Sequence, residues 1–244
     1  MSDNQKTLNS SIEFTGVGLH TGEDVHMVIE PAKINHGVKF QRIDLENQPI
    51  LPADINLVTD TQRSTTLEKD NVKIVTVEHL MSALYALGVN NVLIKLDSSE
   101  VPILDGSAKY FVEEIQKVGL KVQDAPLKYI DLPNPIHYTD PDSGSEILFV
   151  PTNTFIISVV LDYQNHTLGT QYAEIRDLKN YSKEIAPCKT FVFLTELEKL
   201  SKANLIKGGE LENAIVVVDR EDIIPSEIKK IAHLLGKDDF DIQI

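Results

Sequence analysis

The chain has a single cysteine, Cys188, in 244 residues, so no internal disulfide can staple it and the cytosol is the simplest compartment to expect. Cys188 itself reads as a small buried residue. Positive charge is scarce. With 23 Lys+Arg against 37 Asp+Glu the formal net charge is −14, which argues against a nucleic-acid partner because phosphate recognition needs a basic footprint. An anionic substrate would require a local basic site. Long hydrophobic runs are lacking too. The longest, Phe155 to Leu161 broken by Ser158, falls far below the ~20 residues of a membrane span, so no transmembrane segment is expected. The polar stretch Met1 to Asn9 has no apolar stretch of the secretory type.

What is present suits a globular fold of one large domain or two small ones, since 42% of the residues are hydrophobic. Val25–Ile29, Val38–Ile43 and Val72–Val77 have strand composition and are separated by turn residues such as Pro31, Asn35 and Gly37. A helix is predicted next, with Thr76 as its cap, Val77, Leu80, Met81, Leu84 and Leu87 on one face and Gly88 as its stop. After an apolar strand at Val92–Leu96, a second helix from about Ser107 carries Phe111, Val112, Ile115 and Val118 and stops at Gly119. Asp124 to Pro133 is a plausible boundary.

Beyond it, strands are expected at Ile147–Val150, Thr154–Leu161, Lys189–Phe193 and Val216–Val218. Thr195 and Glu198 have capping-box spacing for one helix, and Ser226 caps a last one. Asp239 to Ile244 alternates like the start of a strand. Strands followed by two helices give an α+β class.

The segment most informative for chemistry is Glu78-His79 at a helix start. A neutral imidazole can hold Zn²⁺ while a neighbouring carboxylate takes a proton from water. On spacing alone the pair is weak evidence and reads rather as a solvated first-turn Glu that suits the helix dipole beside a partly buried His. Neither H-E-x-x-H nor H-x-x-E-H is present.

The surrounding blocks resemble the signature of the UDP-3-O-acyl-N-acetylglucosamine deacetylases of lipid A biosynthesis. They are Thr76-Val77-Glu78-His79-Leu80-Met81-Ser82-Ala83-Leu84, Asn90-Asn91-Val92 and Pro102-Ile103-Leu104-Asp105-Gly106-Ser107. Gly16-Val17-Gly18-Leu19-His20-Thr21-Gly22 belongs with them and is not a dinucleotide-binding glycine fingerprint. Lys189-Thr190-Phe191-Val192-Phe193, Lys207-Gly208-Gly209 and Ala214-Ile215-Val216-Val217 are similar to the family's R-T-F segment, its Gly-Gly turn and the strand after it. Phe40-Gln41-Arg42-Ile43-Asp44 and Ser143-Gly144-Ser145-Glu146-Ile147-Leu148 look like the branch fused to a 3-hydroxyacyl-carrier-protein dehydratase.

The resemblance implies zinc-dependent hydrolysis of the N-acetyl group of UDP-3-O-(3-hydroxyacyl)-N-acetylglucosamine. His79 would be a zinc ligand, Glu78 the general base and Thr190 the hydroxyl that stabilises the oxyanion. Leu19, Leu197, Ile206, Leu211 and Val216 match an apolar passage for the acyl chain, although as residue types alone they read as ordinary core. Tyr163 matches an aromatic near the uridine, Phe191 lies in the R-T-F block, and His20 matches a family His near the site. The implied fold is α+β: two similar sheet-plus-helix domains, 1–126 with Glu78 and His79 and 127–244, packed with helices between their sheets.

Two departures stand out. Lys189 replaces the usual Arg, which keeps charge and loses the fork geometry. The family's second zinc motif, H-K-x-x-D-x-x-G-D, does not occur, and His233 lacks the Asp four residues on. The expectation is therefore an incomplete second domain and a chain that binds zinc poorly and is inactive. The alternative is a catalytically silent module that binds the UDP-sugar or its acyl chain.

Overall fold

The computed structural model describes residues 4–164, 167–197, 207–209, 212–219 and 229. Ile206, Leu211, His233, the helix expected after Ser226 and the strand-like stretch from Asp239 lie outside the described residues. The chain is α+β, and no helix among the described residues is long and apolar enough to cross a membrane.

The first half opens with β1 (Asn4–Leu8), β2 (Ile12–Val17), β3 (Asp24–Pro31), β4 (Val38–Arg42) and β5 (Ile50–Pro52). A short hairpin set follows, β6 (Val58–Asp60), β7 (Thr66–Lys69) and β8 (Val72–Ile74). Then come α1 (Glu78–Ala86), β9 (Val92–Leu96), α2 (Lys109–Val118) and β10 (Leu120–Pro126). The central sheet has the order β2-β3-β9-β4-β5, with only the β4–β9 pair parallel. A parallel pair needs a long crossover, and residues 43–91 supply it through the separate β6-β7-β8 sheet and α1.

Alternation decides which face of this sheet is buried. Val25, Met27 and Ile29 of β3 and Val92, Ile94 and Leu96 of β9 all point into the core. Leu80, Ala83 and Leu84 of α1 and Phe111, Val112 and Ile115 of α2 close over them, with Phe111 edge-on to Phe14 at 5.0 Å between ring centroids. Gly88 and Gly119, at φ +73° and +71°, end the two helices as their positions predict.

One local expectation is corrected. Thr76 does not cap α1. Val77 is the cap residue and makes no side-chain bond, while Thr76 sits at φ +60° with its hydroxyl donated to Glu100. This left-handed residue also ends the preceding strand at Ile74, short of Val77.

The second half carries β11 (Ile136–Thr139), β12 (Glu146–Phe149), β13 (Ile157–Asp162) and β14 (Thr170–Ile175) as two antiparallel pairs. After them come α3 (Tyr181–Glu184), β15 (Phe191–Phe193) and β16 (Ile215–Val217), the last two paired in parallel. Residues 194–197 are helical, so Thr195 lies inside that turn, and it bonds Asp219 through its amide and its hydroxyl. Cys188 is exposed, contrary to the expectation of a buried small residue. The two halves are joined where Ala108 N–H donates to Ala186 O at 3.0 Å and Ser82 Oγ meets the Tyr181 hydroxyl at 2.6 Å.

Candidate active site

The site begins in the turn after β2, Gly18 to Gly22. Gly18 N–H donates to Glu23 O and Gly22 N–H returns to Gly18 O, so the turn is closed on itself. Glycine is required for what lies against it. A Cβ on Gly208 would sit 2.2 Å from Gly18 O, and Gly208 N–H donates to Leu19 O at 3.1 Å. The Gly208-Gly209 pair therefore lets a distant stretch of backbone lie directly on the turn.

Thr190 is fixed from both sides. Its N–H donates to Gly106 O at 2.8 Å and its carbonyl accepts from Ile215 N–H at 2.9 Å, which sets it at the head of β15 beside β16. Gly106, at φ +79°, permits this because a Cβ there would meet Asn213 O at 1.8 Å. The Asp105-Gly106-Ser107 block thus has a physical reading: Asp105 Oδ1 accepts from the Ser107 amide and hydroxyl, and Gly106 receives both Thr190 and Asn213.

Between these two constructions lies a cavity of about 480 Å³. Leu19, His20, Thr190, Phe191, Leu197 and Val216, all singled out in the sequence, line it together. Val75, Val192 and Ala214 add to its apolar wall. The rest of the lining is polar, with Asp60 at the end of β6, Gln62, Arg63 and Ser64 from the β6–β7 turn and Lys73 from β8. Arg63 also pairs with Glu196 at 3.3 Å. These two cations were missed in the sequence, where a lone Arg and a lone Lys in polar stretches carry no signal. Lys73 pairs with Glu68 at 3.4 Å, so each cation at this cavity already has a carboxylate beside it.

Tyr163 does not line the cavity. Its ring packs edge-on against Phe191 at 5.7 Å and Phe193 at 5.9 Å, behind the cavity wall. Glu78 and His79 do not line it either, but Glu78 is bonded to the stretch that does. Glu78 Oε2 accepts from Thr65 N–H at 2.9 Å, and Thr65 lies between the cavity residues Ser64 and Thr66. Burial lowers the His79 pKa, against the opposing pull of the Glu78 and Asp105 carboxylates. Burial thus favours the neutral ring, the form that can act as a ligand or acceptor.

One imidazole does not make a metal centre. Among the described residues no three His, Cys, Asp or Glu side chains gather closely enough to hold a metal ion. A catalytic zinc takes three protein ligands and a water. The described residues on their own do not fit that ion. His20 Nε2 is the one buried side-chain polar atom without a hydrogen-bond partner among the described residues.

The sequence reasoning also missed Glu100. It is fully buried and accepts from His20 N–H, Thr21 N–H and the hydroxyls of Thr21 and Thr76. Its one available signal was a charged residue immediately before the apolar run Val101-Pro102-Ile103.

Comparison with known proteins agrees with the motif reading. The family model described as UDP-3-O-acyl N-acetylglycosamine deacetylase matches residues 5–231. The Bifunctional enzyme LpxC/FabZ of Bacteroides thetaiotaomicron is 44% identical over 95% of this chain and 50% of its own length. The same-named protein of Porphyromonas gingivalis is 40% identical over the same shares. The UDP-3-O-acyl-N-acetylglucosamine deacetylase of Pseudomonas entomophila is 41% identical over 94% of this chain and 77% of its own. The chain thus spans about half the length of the bifunctional relatives it matches.

Proposed function

Because the chain belongs to the UDP-3-O-acyl N-acetylglycosamine deacetylase family, we propose that it serves the hydrolysis of the N-acetyl group of a UDP-3-O-(3-hydroxyacyl)-N-acetylglucosamine in lipid A biosynthesis. The observation that carries this is the single cavity in which the chain brings together Leu19, His20, Thr190, Phe191, Leu197 and Val216 from four separate stretches. Its apolar wall suits an acyl chain and its Arg63 and Lys73 rim suits an anionic diphosphate.

In this reading Glu78 takes the proton of the attacking water and Thr190 donates its hydroxyl to the oxygen that becomes negative as the acetamide carbonyl is attacked. As the C–N bond breaks, the proton held by Glu78 passes to the departing nitrogen, and acetate and the free amine leave. Thr65 N–H holds the Glu78 carboxylate, and Gly106 O and Ile215 N–H hold Thr190. The family implies zinc, to which His79 would contribute one ligand. We read residues 1–126 and 127–244 as two α+β units meeting beside this cavity, and a 3-hydroxyacyl-carrier-protein dehydratase as the fused partner, after the bifunctional relatives.

A second reading is binding without turnover, and the lack of a three-ligand cluster among the described residues favours it for this chain by itself. The test is an acetate-release assay run beside equilibrium binding of the same substrate. Binding with acetate release supports the hydrolase. Binding without release leaves the silent reading, and no binding overturns both.

A further inference from the structure

We propose that Glu100 is a positioning residue, a buried carboxylate that clamps together the two stretches of chain that build the site. One is the Gly18–Gly22 turn carrying Leu19 and His20, and the other is Thr76, from which the Glu78–His79 helix springs. The functional weight of the clamp rests on the reading of the site given above, but its geometry does not.

Glu100 has no solvent exposure, and a carboxylate taken out of water persists only when its oxygens are hydrogen-bonded. It accepts from His20 N–H at 3.1 and 3.2 Å, one contact to each oxygen. Oε2 also accepts from Thr21 N–H and the Thr21 hydroxyl, both at 2.9 Å, and Oε1 accepts from the Thr76 hydroxyl at 2.8 Å. All of these donors are neutral, and they come from chain segments 80 and 24 residues away. The carboxylate itself is held firmly. Val75 N–H donates to Ser99 O at 2.8 Å and Val101 N–H donates to Val75 O at 3.0 Å, so the backbone on either side of Glu100 is stitched to the residue before Thr76.

Two features show that the turn and the helix start are shaped around this group. A Cβ on Gly18 would lie 2.4 Å from Glu100 Oε2, so only glycine lets the turn settle on the carboxylate. Thr76 is β-branched at φ +60°, a conformation such residues adopt only when their surroundings impose it. The bond to Oε1 imposes it here, and the left-handed step aims Val77 and α1 so that Glu78 reaches Thr65 N–H. Glu100 lines no part of the cavity, so it acts through the residues it holds.

The clamp requires a carboxylate and not just a polar side chain of that size. Each oxygen faces a backbone N–H, so a glutamine in either amide orientation turns its NH₂ group towards a donor. Glu100→Gln is therefore nearly isosteric and still breaks the clamp.

The experiment is amide hydrogen exchange on the whole chain as wild type, Glu100→Gln and Thr76→Val, with acetate release and substrate binding measured on the same samples. In Glu100→Gln the His20 and Thr21 amides should exchange roughly ten- to a hundredfold faster, the range expected for losing a hydrogen bond to a charged group. Amides of Ile94 and Leu96 in β9 should change less than about twofold, because the clamp is local. Thr76→Val removes only the hydroxyl end, so faster exchange should appear at Val77 with His20 and Thr21 nearly unchanged. In a form of the chain that releases acetate, Thr76→Val should lower kcat and leave KM alone, and Glu100→Gln should affect both. Unchanged exchange at His20 and Thr21, or loss spread evenly through β9, overturns the proposal. If Glu100→Gln does not fold, a Thr76→Val variant with unaltered exchange at Val77 overturns it as well. A wild-type chain that neither binds substrate nor releases acetate, yet shows the expected exchange pattern, removes the functional reading and leaves the clamp standing.

Discussion

The N–H of Thr190 donates to the carbonyl oxygen of Gly106 at 2.8 Å, and this bond fastens β15 to the loop before α2. The same glycine receives the Asn213 backbone on its bare Cα, at a φ that disfavours any side chain. Gly106→Ala should therefore be disproportionately costly for a single methyl. Left-handed strain and overpacking together amount to roughly 2–4 kcal/mol. Chemical denaturation should show that loss, and Ala108→Gly, two residues on in the same loop, gives a control without the backbone collision.

Glu78→Gln should bind substrate as the wild type does and lose about 10²- to 10⁴-fold in kcat in a form of the chain that releases acetate, the range a general base contributes. Thr65 N–H can still donate to the amide oxygen of the variant, so the side chain stays in place. Near-normal kcat would remove Glu78 from the role of base.

Much of this was legible in the sequence because the signal was periodic or local. Leu80 and Leu84 of α1, and Phe111, Val112 and Ile115 of α2, are buried on the faces their spacing predicts. Thr76 was misread because a threonine before a helix is locally a cap, whereas its hydroxyl is claimed by Glu100, 24 residues on. Glu100 escaped for the same reason: nothing near it in sequence says that its partners are His20 and Thr21. Arg63 and Lys73 share the cavity only because β6, β7 and β8 fold back as one small sheet, a long-range fact with no local pattern.

Val216→Trp should close the apolar end of the cavity. Val216 lies in β16 beside Val192, and a larger ring there displaces the acyl chain before it displaces anything at the polar rim. Each methylene kept out of the cavity forfeits ~0.8 kcal/mol, so two lost methylenes already weaken binding by roughly tenfold or more. Calorimetry should show that loss for the 3-O-acylated substrate and little change for UDP. Equal weakening of both ligands would assign Val216 to the core and not to a passage.

Asp44 should report on acid stability. Arg42, only 8% exposed, donates to it through Nε at 2.8 Å and Nη2 at 2.6 Å, and these hydrogen bonds hold the Asp44 carboxyl below its usual value. A carboxylate whose folded pKa is depressed contributes stability that is fully present above its unfolded value of ~3.9 and is lost as pH falls through the folded value. Asp44→Asn should therefore cost about 1–3 kcal/mol at pH 7, by leaving a buried guanidinium short of its partner. The gap between variant and wild type should close below about pH 4. A gap independent of pH from 7 to 3 would mean that the charge on Asp44 contributes nothing.

Zinc should be held weakly by this chain. His79 offers an imidazole whose neutral form burial favours, but the carboxylates around it are engaged elsewhere. Glu78 accepts from Thr65 N–H and Asp105 from the Ser107 amide and hydroxyl, and no three ligand groups converge among the described residues. A first-row metal bound by one imidazole leaves its remaining positions to water and exchanges readily. Dialysis against a weak chelator should leave far less than one zinc per chain, and His79→Gln should remove the remainder. Stoichiometric zinc that survives dialysis would contradict this and would point to ligands beyond His79. His20 would be the first to test, because its buried Nε2 has no hydrogen-bond partner among the described residues and its ring lines the cavity. If His20→Gln then released the metal while His79→Gln did not, the ligand assigned to α1 would have to move to the Gly18–Gly22 turn.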